Sequence, residues 1–436
     1  MQTRGPTIVP LAVAAIWALS AAAVLFQAAP LRTLAGGLTA LLAVACVVRK
    51  GGIVRVYALA LSAASVALVA LDADPWAVLE GLERAGMFCA FLAGLYALRS
   101  MVETSPALGD ARIMLLALTG ETRRSVLLWL GWLLSIPLGI GALSVAAPLV
   151  GGDADVERRA EAATWGIRGM ALTVLFSPFT VAMGLVTSMQ PDIPVSRLVL
   201  LGLPISVAAV AAPLLTGGGR SPLAAGWPLW EQVGRVLAPV VGLIVLDLTA
   251  SVVLGWSALD IGVVVVAPFA LAVAVAGGPA RLRAAVAATR IGWGRFDSEV
   301  AIFASALVFA ALVTRSPTVL GLADGMARLA GPDVLVVVAM AAICVLSAVG
   351  VHMVVPAVVA LSVLGPLMPT VAAKTALSMG VLIGWSFGAM TALGSISFLV
   401  ATSIFAVPAR RIAFGPNLPF MIGLCLVYAA GTLLVL

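Results

Sequence analysis

Apolar stretches long enough to cross a lipid bilayer recur along the whole chain, and this feature restricts the fold more than any other. A transmembrane helix needs about 20 consecutive, predominantly apolar residues. Of the 436 residues, 62% are hydrophobic and only 10% are charged, whereas soluble domains have about 25% charged residues. The sequence therefore predicts an all-α polytopic membrane protein in contact with the lipid bilayer.

The basic residues predict the orientation of the chain. The formal net charge is +6, and arginines lie at one end of the predicted helices, for example Arg99 and those over 49–55, 281–295 and 410–411. Because positive charge collects on the cytoplasmic side of a membrane, we expect a cytoplasmic N-terminus and, from the helix count, an outside C-terminus in a bacterial inner membrane. This reading explains the charge without a nucleic-acid partner.

Several chemistries are disfavoured by what the chain contains. The four cysteines (Cys46, Cys89, Cys344 and Cys425) lie in apolar runs at unrelated spacings, which predicts buried thiols rather than disulfides or metal ligands. One histidine cannot make a His-rich metal site, and it has no acid nearby in sequence for a catalytic triad. We therefore expect no enzyme activity, no catalytic residue, no metal and no cofactor beyond a coupling ion.

Two parts of the chain resemble one another, and each is broken by proline, glycine and serine inside apolar runs. The first reads LGIGALSVAAP over 138–148, LFSPFTVAM over 175–183 and GLP over 202–204. The second reads LSAVGVHMVVP over 346–356, LGSISFLVA over 393–401 and NLP over 417–419. Broken helices in matching positions of two halves are the best sequence indication of a transporter's binding site.

The positions of these breaks predict the fold class. Segments 125–150 and 333–368 are too long for single spans and carry helix-breaking residues, which are tolerated at membrane depth only where they pack in protein or line a cavity. We therefore predict two inverted-topology repeats, each with a re-entrant hairpin and an interrupted transmembrane helix, the first hairpin opening inward and the second outward. The interrupted helices are expected over 164–189 and 376–407.

We expect four parts within one membrane domain. They are N-terminal transmembrane helices with part of a scaffold (1–111), a first repeat core (112–216), a linker with the second-repeat scaffold helices (217–331) and a second repeat core (332–436). The triple glycine at 217–219 marks the linker.

The repeated order of a hairpin ending in proline, a span broken at a Ser-Pro-type turn and a helix opening with Gly/Asn-Leu-Pro resembles the ion transporter superfamily. The resemblance is to divalent anion:sodium symporters and arsenite-pump-like permeases, and it covers roughly 112–215 and 332–436. It implies symport of an anion by a secondary transporter, with an elevator movement of the core against a scaffold that forms a homodimer.

The chain departs from this family at the positions of the sodium site. The family's hairpin tips carry Ser-Asn-Thr about ten residues before the proline, where this chain has LGI at 138–140 and LSA at 346–348. The family's asparagines in the broken spans correspond to Thr180 and Phe398. Proton coupling therefore stands beside sodium coupling as a prediction.

The breaks themselves predict a binding site. A broken helix exposes unpaired N–H groups at one half-helix start, which attract an anion, and C=O groups at another end, which suit a small cation. We predict a site for a small, organic anion and for H+ or Na+ from Ser135, Gly139, Ser144, Ser177, Pro178, Thr180, Ser347, His352, Gly394, Ser395 and Ser397. For each hydroxyl the alternative is a bond to its own backbone or helix packing.

Three residues are candidates for a coupling proton: His352, Asp247 and Glu299. Histidine titrates near neutral pH, and a carboxyl group within a span usually faces protein or water, because a charge there costs about 2.5–3.5 kcal/mol. The alternatives are a neutral histidine bonded within the bundle, an acid confined to the scaffold and an interfacial glutamate. Arg168 and Lys374 flank the two sites, and we expect them to anchor the topology.

Two other functions remain open from the sequence. A membrane-embedded enzyme acting on a lipid-like substrate would need convergent acids, histidine or lysine at the interface, and the chain supplies few. A scaffold or channel subunit without transport activity is the third possibility.

Overall fold

The computed structural model describes residues 8–49, 52–118, 120–146, 155–215, 221–392 and 395–436. Within these ranges the chain forms helices joined by turns, without a strand. Ten of the described helices are long and apolar enough to cross a membrane. The prediction of an all-helical polytopic protein is therefore confirmed.

The helices follow one another in four runs. The first run is α1 (Ile8–Leu25), α2 (Ala29–Arg49), α3 (Gly52–Leu71), α4 (Ala77–Glu103) and α5 (Pro106–Leu116). The second is α6 (Gly120–Leu138), α7 (Ala142–Ala146), α8 (Val156–Thr173), α9 (Val181–Met189) and α10 (Val195–Leu215). The third is α11 (Trp227–Leu254), α12 (Ala258–Ile261), α13 (Ala267–Ala276), α14 (Pro279–Trp293), α15 (Asp297–Val313) and α16 (Pro317–Leu329). The fourth is α17 (Pro332–Ala348), α18 (Val354–Leu364), α19 (Val371–Thr391), α20 (Ile396–Phe405), α21 (Ala409–Ala413) and α22 (Asn417–Val435).

Helix α4 is held close to α2 and α15 by small residues. A Cβ at Gly36 would lie 2.8 Å from the carbonyl oxygen of Leu82, and one at Gly81 would lie 2.5 Å from the Cα of Val308. Glycine at such points lets helix backbones approach closely, which is a main source of packing energy between helices in lipid. As a result α4 is largely buried, whereas α3 is mostly exposed.

In the first half, α6 and α8 run parallel to each other. Their first turns are joined by an ion pair between Arg124 and Glu161, and near the other end the Thr173 hydroxyl donates to the carbonyl of Trp132 at 2.8 Å. A Cβ at Gly131 would lie 2.8 Å from the carbonyl oxygen of Gly166 between these points. Since the two helices point the same way, the chain between them has to return to the starting end of α6.

The second half repeats this arrangement with α17 and α19. A Cβ at Gly384 would lie 2.9 Å from the Cβ of Ile343, and one at Gly388 would lie 3.0 Å from the Oγ of Ser347. The order of these contacts makes α17 and α19 parallel as well. Gly384 lies eleven positions before Ser395, as Gly166 lies eleven before Ser177, so the sequence likeness of the two halves extends to their helix packing.

Three helices of more than ten residues, α5, α14 and α16, lie in stretches where the sequence predicts no transmembrane span. Helix α16 is bent by 74° from α15, and α14 carries three of the arginines that were assigned only to a charged cluster: Arg281, Arg283 and Arg290. Short or arginine-rich helices give a weak hydropathy signal, which explains why they were missed.

Candidate functional site

The two broken regions meet at a cavity of about 200 Å³, here named the central cavity. Predicted residues from both halves line it: Ser135, Gly139, Thr180, His352 and Ser397. The chain therefore brings segments that are about 200 positions apart to one space.

Two helix N-termini border the central cavity. Helix α9 begins after Thr180, whose hydroxyl accepts from the backbone N–H of Met183 at 3.3 Å. Helix α20 begins after Ser395, whose hydroxyl accepts from the N–H of Phe398 at 3.1 Å, and its next serine, Ser397, lines the cavity. The first N–H groups of a helix have no partner within the helix and carry partial positive charge. Such ends favour an anion.

The first break has a local cause. Pro178 has no N–H for a helical hydrogen bond, and the Ser177 hydroxyl accepts from the N–H of Phe179 at 3.3 Å. Thr180 in turn donates to the Ser177 carbonyl at 3.1 Å. Ser177 is fully buried in this turn. Ser177 and Pro178 therefore shape the break, and neither of them lines the central cavity.

The other predicted serines differ in their partners. The Ser144 hydroxyl donates to the carbonyl of Gly141 at 2.6 Å. This is the backbone bond expected if Ser144 does not bind a ligand. In the part of the chain that the structure describes, the buried hydroxyls of Ser135 and Ser347 have no hydrogen-bond partner, and Ser135 faces the central cavity. Gly394 lies outside the described residues.

The candidate acids are separated. Glu299 lines the central cavity, and its carboxylate accepts from the Tyr96 hydroxyl at 3.0 and 3.1 Å. Asp247 is buried in α11, its Oδ2 has no hydrogen-bond partner, and it is not part of the cavity wall. Glu299 and His352 thus share the cavity, and Asp247 does not.

Arg99, which the sequence analysis counted only for topology, also lines the central cavity. Its Nε lies 2.8 Å from the carboxylate of Glu103. A Cβ at Gly141 would lie 2.8 Å from the guanidinium carbon, so Arg99 packs on the turn that ends α6. One face of α4 near its end carries polar side chains at helical spacing: Tyr96, Arg99 and Glu103. Residues three and four positions apart share a helix face, so this pattern in an apolar helix could have identified Arg99 as a cavity residue.

A second cavity of about 390 Å³, here named the charged cavity, lies at the other end of α4. An ion pair of 2.7 Å joins Arg315 to Glu80, and one of 2.5 Å joins Lys374 to Asp192. The cavity is also lined by Arg84, Gln190, Ser362 and Gly365.

Arg168 joins the two halves away from both cavities. Its Nε donates to the side-chain oxygen of Asn417 at 2.9 Å, and Nη2 donates to the carbonyl of Pro416 at 3.1 Å. The guanidinium carbon also lies over the rings of Trp165 and Phe420, at 4.7 and 4.3 Å from their centroids. The asparagine of the NLP motif therefore ties the start of α22 to α8 through the buried Arg168.

No known protein family and no curated protein matches this chain. Among solved structures, the crystal structure of the YdaH transporter of Alcanivorax borkumensis is similar, with a TM-score of 0.53 and 16% sequence identity. The match covers 87% of this chain and 95% of that chain. At this identity the likeness concerns the fold alone, so the protein is a polytopic helical membrane protein whose fold is similar to that of this solved structure.

Proposed function

We propose that this protein is a secondary active transporter of a small organic anion. The observation that carries the proposal is the central cavity, where broken helices from both halves place two N-termini around one space. Interrupted helices at the midplane provide such sites in several transporter folds. The similarity to a transporter structure supports the same conclusion.

Beside the carboxylate of Glu299, the central cavity offers hydrogen-bond donors that favour an anion. Arg99 supplies a cationic side chain, the first turns of α9 and α20 supply N–H groups, and the Ser135 hydroxyl has no partner among the described residues. Buried polar groups normally have hydrogen-bond partners, so Ser135 is available to a ligand. The volume of about 200 Å³ is smaller than the roughly 300–1,000 Å³ of sites for drug-sized ligands.

The helix directions support inverted repeats with re-entrant hairpins. The first parallel pair, α6 and α8, begins at the Arg124–Glu161 ion pair. The chain then passes through α8 and α9 to Asp192, which pairs with Lys374 at the start of α19. The two parallel pairs would therefore begin at opposite ends of the molecule, and each returning segment would enter and leave on its own side.

An elevator movement is the proposed mechanism. We define a scaffold group (α1–α5 and α11–α16) and a core group (α6–α10 and α17–α22). Within the scaffold group, the Tyr96 hydroxyl donates to Glu299, and Arg315 forms an ion pair with Glu80. Ser386 donates to the carbonyl of Ala171 at 2.8 Å within the core group. Glu80 and Arg99, 19 residues apart on α4, are separated by about 28 Å, so the charged and central cavities would give access from opposite sides.

A proton or a sodium ion is proposed as the coupling ion. Glu299 and His352 line the central cavity and offer titratable groups next to the anion. Protonation of a carboxyl group in the cavity would couple anion binding to the pH gradient.

Uptake into proteoliposomes tests the proposal. Purified protein is reconstituted, and counterflow of labelled carboxylates, sulfonates and oxyanions is measured with an imposed pH gradient, an imposed sodium gradient or neither. We expect uptake of at least one anion that responds to one gradient, and stabilisation of the detergent-solubilised protein by that anion. Absence of uptake and of stabilisation for all three classes would contradict transport, and uptake indifferent to both gradients would contradict coupling.

A further inference from the structure

Tyr57 makes a hydrogen bond across the boundary between the scaffold group and the core group. It lies in the first turns of α3, a helix that otherwise faces mostly away from the protein. Its hydroxyl donates to the carbonyl oxygen of Gly350, in the turn between α17 and α18. Its ring also meets that of His352 edge-on, with centroids 6.1 Å apart and an interplanar angle of 72°.

The turn that Tyr57 contacts is closed by its own backbone hydrogen bonds, and it meets the scaffold group at the Tyr57 hydroxyl. Gly350 has a φ of +98°, a backbone conformation that L side chains rarely adopt, and no atom of the described residues lies within 4 Å of the position its Cβ would take. Its N–H donates back to the carbonyl of Ser347 at 3.0 Å, which closes the end of α17. The carbonyl of Gly350 points out of the turn toward Tyr57, so this hydroxyl holds the turn to a neighbouring helix.

The same turn forms part of the wall of the central cavity. His352 and Met353 line that cavity, and they lie two and three positions after Gly350. A shift of the Gly350 turn away from α3 would therefore move the His352 side of the wall. Tyr57 thus acts on the cavity through this turn, without lining the cavity itself.

We propose that Tyr57 is a positioning residue that holds the α17–α18 turn against the scaffold group in one end state of the transport cycle. The inference rests on the proposed function, because it requires the core group to move against the scaffold group. Tyr57 lies five residues after the start of α3, at the end that follows Arg49. The bond forms when the turn has moved toward this end of the molecule, and it must break when the core group moves the other way.

Distances between spin labels test the inference directly. In a cysteine-free background, labels are placed at Val69 of α3 and Val349 of the turn, which are both exposed. Tyr57→Phe keeps the ring and removes the hydroxyl. One hydrogen bond contributes about 0.5–1.5 kcal/mol, so the population with the wild-type distance should fall roughly two- to tenfold relative to other distances. Tyr57→Leu, which also removes the ring contact with His352, should reduce it further.

Tyr428 provides a matched control. Its hydroxyl donates to the carbonyl of Ala376 at 2.5 Å, so it makes the same kind of bond entirely within the core group. Tyr428→Phe should leave the label distances as in the wild type. An unchanged distribution in Tyr57→Phe, or an equal change in both variants, would overturn the inference.

Transport provides a second readout. In proteoliposomes, Tyr57→Phe should change the KM ratio for the two directions of transport by a factor similar to the change in populations, whereas Tyr428→Phe should not. The label distances need no substrate. A wild-type protein that transports nothing would therefore contradict the proposed function, while unchanged distances in Tyr57→Phe would contradict the role of Tyr57 alone.

Discussion

The central cavity and the charged cavity lie at opposite ends of α4 and satisfy their polar groups in different ways. In the charged cavity, Arg315 pairs with Glu80 and Lys374 pairs with Asp192. In the central cavity, two helix N-termini and the Ser135 hydroxyl face a largely apolar wall. The Ser362 hydroxyl of the charged cavity also lacks a hydrogen-bond partner among the described residues. The two helix N-termini, rather than the number of charges or an unpartnered hydroxyl, therefore distinguish the central cavity.

The ion pairs of the charged cavity each lie within one group of helices. Glu80 and Arg315 belong to the scaffold group, and Asp192 and Lys374 belong to the core group. Exposed pairs of this kind contribute only about 0–1 kcal/mol. A boundary at which each side satisfies its own charges can open without leaving an unpaired ion.

The largest expected difference between the cavities concerns Arg99 and Arg315. Arg99→Gln should weaken anion binding by about tenfold or more, because a hydrogen bond to a charged group contributes about 1.5–3 kcal/mol. Arg315→Gln, in the charged cavity, should change binding by less than about threefold. Titration calorimetry with the best anion from the screen measures both, and equal losses would remove the distinction between the two cavities.

The second comparison concerns the acids. If Glu299 carries the coupling proton, the wild type should accumulate the anion up to about tenfold per pH unit of the imposed gradient, the limit for one coupled proton. Glu299→Gln should transport the anion without stimulation by the gradient. Glu80→Gln should keep the wild-type response. Uptake by proteoliposomes at several imposed gradients measures this, and a wild-type response in Glu299→Gln would exclude this residue as the proton site.

Alanine substitutions at one glycine beside each cavity should differ in their effect on anion binding, by a smaller factor than the substitutions above. A Cβ at Gly141 would lie 2.8 Å from the Arg99 guanidinium, and one at Gly365 would lie 2.0 Å from the Nε2 of Gln190. Each clash is with the end of a flexible side chain that can shift, so each alanine substitution should lower stability only by the low end of the roughly 1–3 kcal/mol that overpacking costs. Only Gly141→Ala should also weaken anion binding, by a few-fold. Thermal unfolding and calorimetry separate the two effects, and weaker binding in Gly365→Ala would count against the assignment.

The smallest expected effect is a pH dependence of stability near the charged cavity. The Ser316 hydroxyl donates to Asp72 and holds the pKa of this carboxyl below its ordinary value, and the N–H of Thr318 donates to it at 2.7 Å. This stabilisation is complete above the ordinary pKa of an aspartate and is lost as pH falls through the lowered pKa.

Asp72→Asn should therefore lose less stability than the wild type on acidification from pH 5 to pH 3. Asp324→Asn, at an exposed position on α16, serves as the control and should follow the wild type. Unfolding temperatures across this pH range measure the difference, and parallel curves for all three proteins would contradict a stabilising role for Asp72.

The sequence predicted the helices and their breaks better than the walls of the cavities. Apolar runs and the breaks at Pro178 and Ser395 are local features, and hydropathy or proline chemistry is sufficient to find them. Whether a serine caps a helix, as Ser395 does, or faces a cavity, as Ser135 does, depends on the rotation of each helix against its neighbours. Arg99 was missed because an arginine near a helix end also fits the rule for topology.

The beginnings of α9 and α20 have a consequence for how this site tolerates change over evolution. Main-chain N–H groups are present whichever side chains occupy those positions, proline excepted, so charge recognition by a helix start survives most substitutions. Selection then acts on where each helix starts and on little else nearby. Distant chains can keep such a pocket after their sequences have diverged almost completely, provided that the two interruptions stay in place.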